Sequence, residues 1–161
     1  MAVTRRSAGV LVHRRGADGG VEVLLGHMGG PFWARKQERA WSVPKGEHPP
    51  EEEAWAAAVR EWREETGLPL PAGDPVPLGS VRQSGGKEVA VWAVEGDLDA
   101  AAAVSNTFSL EWPRGSGRMQ EFPELDRFAW VALDSARDLL VAGQVPFLDR
   151  LLESLGEAGP A

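Results

Sequence analysis

Residues 46–68 read GEHPPEEEAWAAAVREWREETGL, running from Gly46 to Leu68, and the organisation of the chain follows from how this stretch folds. Pro49 and Pro50 suit the entry to a helix, where a missing N–H costs nothing. Glu51, Glu52 and Glu53 then place negative charge at the positive end of the helix dipole. Gly67 follows the last periodic residue and suits a left-handed stop. Between these limits Trp55, Ala58, Val59 and Trp62 recur at helical spacing, which predicts one apolar, core-facing stripe.

The acids lie off that stripe. At roughly 100° per residue, Glu61 and Glu65 fall about a third of a turn from it, with Glu64 further round. Ala54 and Ala57 occupy the same side one turn earlier, so nothing bulky blocks an approach to the carboxylates. Glu61 and Glu65 form a like-charged i,i+4 pair, which costs a helix a few tenths of a kcal/mol. Only Glu64 has a cationic neighbour at helical spacing, Arg60. A solvated acidic face is the ordinary reading of a glutamate-rich helix. Unrelieved repulsion with room beside it suits a divalent cation instead. Mg²⁺ takes oxygen ligands, keeps several waters and commonly shares its shell with phosphates.

Gly46, Glu52, Arg60-Glu61, Trp62, Glu64-Glu65, Gly67 and Leu68, at these spacings, resemble the Nudix box with every specified position filled. Trp62 is bulkier than the aliphatic residue usual there. The lead-in Trp41-Ser42-Val43-Pro44-Lys45-Gly46 is also similar to the segment that precedes the box. The resemblance implies an α/β (α+β) fold: an α/β/α sandwich with a mixed β-sheet between helices and the box as a loop–helix–loop. It implies hydrolysis of a nucleoside diphosphate linked to another moiety. Glu61, Glu64 and Glu65 would hold Mg²⁺ (or Mn²⁺ as a substitute), in one or more ions, assisted by the Gly46 carbonyl. Arg60 would orient Glu64, and Glu52 would brace the loop.

In relatives a metal-binding or basic glutamate often precedes a strand tryptophan, which points to Glu124 in EFPELDRFAW (121–130), with Glu121 as substitute. Either Glu61 or Glu124 would take the proton from the attacking water. Lys45, next to the metal loop, is the leading candidate for a phosphate contact. Ser7-Ala8-Gly9-Val10 and the lead-in look similar to the branch that hydrolyses dinucleoside polyphosphates, with a nucleoside-triphosphate pyrophosphohydrolase close behind. A nucleotide-sugar or ADP-ribose hydrolase ranks lower, because that branch's accessory N-terminal domain is not apparent. A non-catalytic nucleotide sensor would be expected to lose box glutamates, and all are retained here.

The 161 residues suggest one domain over 1–156, followed by a frayed tail at 157–161. Hydrophobic residues at 43% and charged residues at 25% are ordinary for a globular chain. A net charge of −7 without a sustained basic stripe argues against nucleic acid as partner and leaves small nucleotides open. The absence of cysteine excludes disulfides, zinc–thiolate sites and thiol catalysis. No apolar run is long enough for a signal core or a membrane span, so the expected location is cytoplasmic. The expectation for 7 tryptophans in so small a chain is that some are exposed, which allows a homodimer interface.

Periodicity predicts strands at 3–14 and 21–25 joined as a hairpin through Gly16–Gly20, and strands at 78–83 and 87–94 joined through Ser84-Gly85-Gly86. Further strands are expected at 105–112 and 128–131. Asp134 is the expected N-cap of a helix over 135–141, and Pro146 opens a last helix with Phe147, Leu148, Leu151 and Leu152 on one stripe. The loop GGPFWARKQERA (29–40) mixes glycine, aromatic and basic residues. Phe32 or Trp33 could stack on a base while Arg35 or Lys36 meets phosphates. Arg114 and Arg118, around the expected turn at 113–117, are further basic residues of this kind. His13 reads as structural.

Overall fold

β1 (Arg6–Arg15) is buried from Ser7 to His13, on both of its faces. The protein is represented by a computed structural model that describes residues 5–156; the start of the first expected strand and the expected tail at 157–161 lie outside them. Burial on two faces is what a parallel neighbour and covering helices produce. β6 (Glu88–Glu95) supplies that neighbour, parallel from Arg6↔Glu88 to His13↔Glu95. On the other edge β2 (Val21–Met28) pairs antiparallel with the C-terminal end of β1, with His13 opposite Val23. β4 (Lys45–His48) takes the N-terminal end, with Gly9 opposite Lys45 and Ser7 opposite Glu47. β3 (Trp41–Ser42) and β9 (Leu125–Ala132) pair with β2, and β5 (Val76–Arg82) closes the far edge on β6. β7 (Thr107–Glu111) and β8 (Met119–Pro123) form a separate two-stranded sheet.

The pleat sends Ala8, Val10 and Val12 to one face, where Ala57, Ala58 and Trp62 of α1 (Ala54–Thr66) cover them. Leu11 goes to the other face, under Ala136 of α2 (Leu133–Leu139) and Phe147, Leu148 and Leu151 of α3 (Pro146–Ser154). One helix on one side and two on the other make the expected α/β/α sandwich around a mixed sheet. The stripe expected on the last helix is the buried one. Among the described residues no helix is long and apolar enough to cross a membrane.

Several local expectations are corrected. α1 begins at Ala54, with Glu53 as N-cap accepting the Ala56 N–H at 2.7 Å. The prolines and Glu51–Glu52 therefore lie in the preceding loop, because Glu52 is drawn to Arg60 and not to the helix end. Ala57, Ala58 and Trp62 are fully buried, whereas Trp55 and Val59 are only half-buried. Ala132, not Asp134, caps α2, and Asp134 sits in its first turn. None of the tryptophans is exposed: Trp55 and Trp92 meet at 5.5 Å, and Trp130 donates to the Leu98 carbonyl. Among the described residues the large exposed apolar ones are Phe32, Val76, Val104 and Met119, so the tryptophan argument for a homodimer does not hold.

Candidate active site

The last turn of α1 ends as its sequence predicts. Gly67 is left-handed at φ 68°, and its N–H returns to the Arg63 carbonyl. The remaining C-terminal carbonyls are satisfied by the chain that leads to β7. Val104 donates to the Thr66 carbonyl and Asn106 to the Glu64 carbonyl, each at 2.9 Å. The same segment holds the loop between β8 and β9. Ser105 Oγ donates to the Leu125 carbonyl and accepts the Leu125 N–H, both at 3.0 Å, and Glu124 N–H donates to the Asn106 carbonyl. Two segments distant in sequence are thereby stitched together, which sets Glu124 opposite the acids of α1.

Lys45, Gly46, Glu47, Glu61, Glu64, Glu65, Lys87, Asn106 and Glu124 line one polar pocket of about 240 Å³. Gly46 is required by contact: a Cβ there would lie 2.0 Å from Glu61 Oε2. Behind the pocket Arg60 clamps Glu52 through Nε and Nη2 at 2.9 and 2.8 Å. Its Nη1 donates to Glu61 at 2.9 Å and to Glu64 at 3.2 Å. Glu65 has no such help. It is 7% exposed, and no hydrogen bond or ion pair joins it to another described residue.

Charge follows from this arrangement. Burial, then Glu124, Glu61 and Glu64, push the Glu65 carboxyl up to about 8, with only Lys45 opposing. Glu61 is raised as well, by burial and Glu64, against the pull of Arg60. Burial and the adjacent Lys87 ammonium push Lys45 down to about 8, against the pull of Glu65 and Glu47. Glu47 and Glu52 are lowered by their guanidinium partners, Arg5 and Arg60.

These residues fit a hard divalent cation. Glu65 is a buried carboxylate without a partner, three more carboxylates share its pocket, and Gly46 leaves its backbone open beside Glu61. Among the described residues no three carboxylate or imidazole side chains stand close enough to form a ready coordination shell. The Arg60 guanidinium binds Glu61 and Glu64. The pocket therefore has the chemistry of a metal site but not its closed geometry.

Of the residues singled out in the sequence, Lys45, Gly46, Glu61, Glu64, Glu65 and Glu124 meet in the pocket, with Arg60 bound to two of them. Trp33, Arg35, Lys36 and Glu121 do not line it. Trp33 packs against the α2/α3 core with Lys36 over its ring at 5.4 Å, Arg35 is exposed, and Glu121 is exposed on β8. Arg114 and Arg118 sit beyond β7 at the tip of its hairpin. Glu47, Lys87 and Asn106 also line the pocket and were not singled out. Glu47 lies inside the quoted stretch, but nothing near Lys87 or Asn106 in sequence signals a site. A larger open recess of about 590 Å³, lined by Arg14, Asp97, Leu98, Asp99, Ala100 and Trp130, shares no residue with the acidic pocket. Its one cation is already bonded to Glu22 and Asp97 and stacked over Trp130, so it offers little free chemistry.

A family model described as NUDIX domain matches residues 3–151. No curated protein matches the chain. Solved structures share the fold at low identity. An Ap4A hydrolase of C. elegans, in a binary complex, is 21% identical over 93% of this chain and 98% of its own, with a TM-score of 0.65. The NUDIX domain of Shewanella oneidensis NrtR, complexed with ADP ribose, is 14% identical over 96% and 90%, also at 0.65. The Nudix hydrolase RenU of M. smegmatis is 24% identical over 96% and 88%, at 0.53.

Proposed function

This chain belongs to the NUDIX-domain family and is a pyrophosphohydrolase, and on that footing we propose that it hydrolyses a dinucleoside polyphosphate or a nucleoside triphosphate with Mg²⁺ in the cytoplasm. The observation that carries the reading is Glu65: a buried, unpartnered carboxylate facing Glu61, Glu64 and Glu124 across one pocket. Enzymes of this family generally use a divalent metal. Glu61, Glu64, Glu65 and Glu124, with the Gly46 carbonyl, would hold it. Bound there, the ion supplies charge neutralisation for phosphate oxygens and a water that ionises more readily.

The remaining work falls to the chain. Arg60 fixes Glu61 and Glu64 through one nitrogen while Glu52 locks its other two. Lys45 meets the non-bridging oxygens of the phosphate chain. Glu61 or Glu124 takes a proton from the water as its oxygen attacks phosphorus in line. The bridging P–O bond breaks, and the leaving phosphate departs with the electron pair. Phe32 or Trp33 with Arg35 or Lys36 would meet the substrate further out, on the loop after β2. Ser7–Val10 and the lead-in to Gly46 support a polyphosphate with two nucleosides, and the Ap4A hydrolase neighbour adds that nucleotide to those worth testing. The ADP-ribose complex adds a second.

A panel of nucleotides assayed with Mg²⁺, with products separated, tests the proposal. ATP plus AMP marks a dinucleoside tetraphosphate, and pyrophosphate plus a monophosphate marks a triphosphate. Wild-type turnover by Glu65→Gln would remove the assigned role.

A further inference from the structure

Lys45 and Lys87 come from separate parts of the sheet and meet on one wall of the acidic pocket. The register brings them there. Ser7 of β1 pairs with Glu47 of β4 on one side and with Val89 of β6 on the other. Lys45 and Lys87 each precede their strand's partner by two residues, so the pleat puts both on the face of the sheet that Ser7 occupies. The Ser7 hydroxyl is itself buried without a hydrogen-bond partner.

Neither lysine is held by an acid at ion-pair distance, although Glu65 and Glu47 attract Lys45. No described residue makes an ion pair with Lys45 or Lys87 within 4 Å, although the protein carries 24 acidic residues against 17 lysines and arginines. Glu47, which lines the same pocket, is held by Arg5 at 2.6 Å. Two adjacent ammonium groups repel one another unless an anion lies between them, and the effect grows away from bulk water. Glu61 and Glu64 of the pocket are bound to Arg60 and Glu47 to Arg5, while Glu65 attracts Lys45 without forming an ion pair with either lysine.

We propose that Lys87 is a substrate-binding residue which, with Lys45, clamps a phosphate beyond those facing the carboxylates, and so selects chains of three or more phosphates. This rests on the functional reading above and narrows it. A nucleoside triphosphate or dinucleoside tetraphosphate carries about four negative charges near neutral pH, whereas ADP-ribose carries about two. A wall with two unpaired cations complements the longer chain and leaves the shorter one with nothing to place there. The turn before Lys87 suits access: Gly85 and Gly86 both have positive φ, and a Cβ on either would meet nothing within 4 Å. Lys87 is therefore presented from an open turn at the rim, and Lys45 from the half-buried strand beside Gly46.

The test compares wild type with Lys87→Ala and Lys87→Arg, by calorimetric titration with Mg²⁺. The probes are ATP with methylene bridges at both anhydride positions and ADP with one, so that only the phosphate count differs. Lys87→Ala should weaken the triphosphate about tenfold. It should leave the diphosphate within about twofold, and Lys87→Arg should restore triphosphate binding. In turnover, Lys87→Ala should raise KM on triphosphates with kcat nearly unchanged. Equal losses on both probes, no loss on either, no rescue by arginine, or wild type binding neither probe would overturn the clamp. Wild type that shows the binding pattern but hydrolyses no nucleotide would keep the clamp and refute the functional reading. Hydrolysis with binding indifferent to Lys87 would do the reverse.

Discussion

Glu65→Gln should make the metal-free protein more stable, by a margin that grows as pH rises from about 5 to about 8. The carboxyl has a folded value of about 8 against an ordinary 4.5. A group whose value is raised on folding contributes stability that is fully present below its unfolded value and is lost as pH rises toward the folded one. The loss runs from about pH 4.5 to about pH 8 and amounts to about 1.4 kcal/mol per pH unit, for a ceiling of about 4–5 kcal/mol. Water at the pocket mouth and movement of neighbouring side chains reduce that ceiling, and about 2 kcal/mol is expected at pH 8.5. For a chain of this size that corresponds to a rise in Tm of about 4–8 °C. Near pH 5 the wild-type carboxyl is still protonated and resembles the amide, so the two proteins should melt together. The assay is thermal or urea unfolding in chelator across pH 5–9, repeated with Mg²⁺. Saturating Mg²⁺ should reverse the order, since an ion at about a hundred times its Kd stabilises wild type by about 2.7 kcal/mol. A variant less stable than wild type at pH 8.5, or an advantage equal at pH 5 and 8.5, would refute the argument.

Gly46→Ala should lower turnover about 10²-fold with little change in Tm, because the new Cβ would sit 2.0 Å from Glu61 Oε2 and push that carboxylate aside; kinetics and melting on one preparation check both halves. Gln144→Leu should cost about 1–3 kcal/mol in urea unfolding, since the fully buried Gln144 Oε1 accepts the Val43 N–H at 2.9 Å and nothing replaces it. The same change should raise KM, because Val43 leads into Lys45 and Gly46. Trp62→Phe should move stability by less than about 1 kcal/mol, since it removes a buried indole N–H without a partner while opening only a small gap. Trp62→Ala, which leaves the whole cavity, should cost about 3–5 kcal/mol.

The elements whose burial depends on their own periodicity were legible. α1, α3 and the β1–β2 and β5–β6 hairpins stand where apolar spacing and turn residues put them. Elements fixed by distant partners were not. β3 and β4 are only two and four residues long, and exist as strands because β2 and β1 offer edges to them. β7 and the turn after it fall within the strand and turn expected at 105–112 and 113–117, but its partner β8 was missed, since its first three residues are all exposed and no alternation betrays it. The start of α1 was misplaced for an electrostatic reason: a glutamate near a helix N-terminus ordinarily serves the dipole, but Glu52 is claimed by an arginine two turns on.

The acids of the site were legible because they break a rule in view of the sequence: like charges at i,i+4 with no base to relieve them. The cations were not, because their anomaly exists only after folding. Lys45 beside Gly46 and Lys87 after a glycine turn are each unremarkable as surface lysines. They become a repelling pair when β1 takes β4 on one edge and β6, parallel, on the other. Asn106 follows the same logic, since it reaches the pocket through its backbone bond to the Glu64 carbonyl, a contact between residues with no shared period. What local sequence discloses here is the half of the site that one helix carries, and the opposing half comes from the sheet's register.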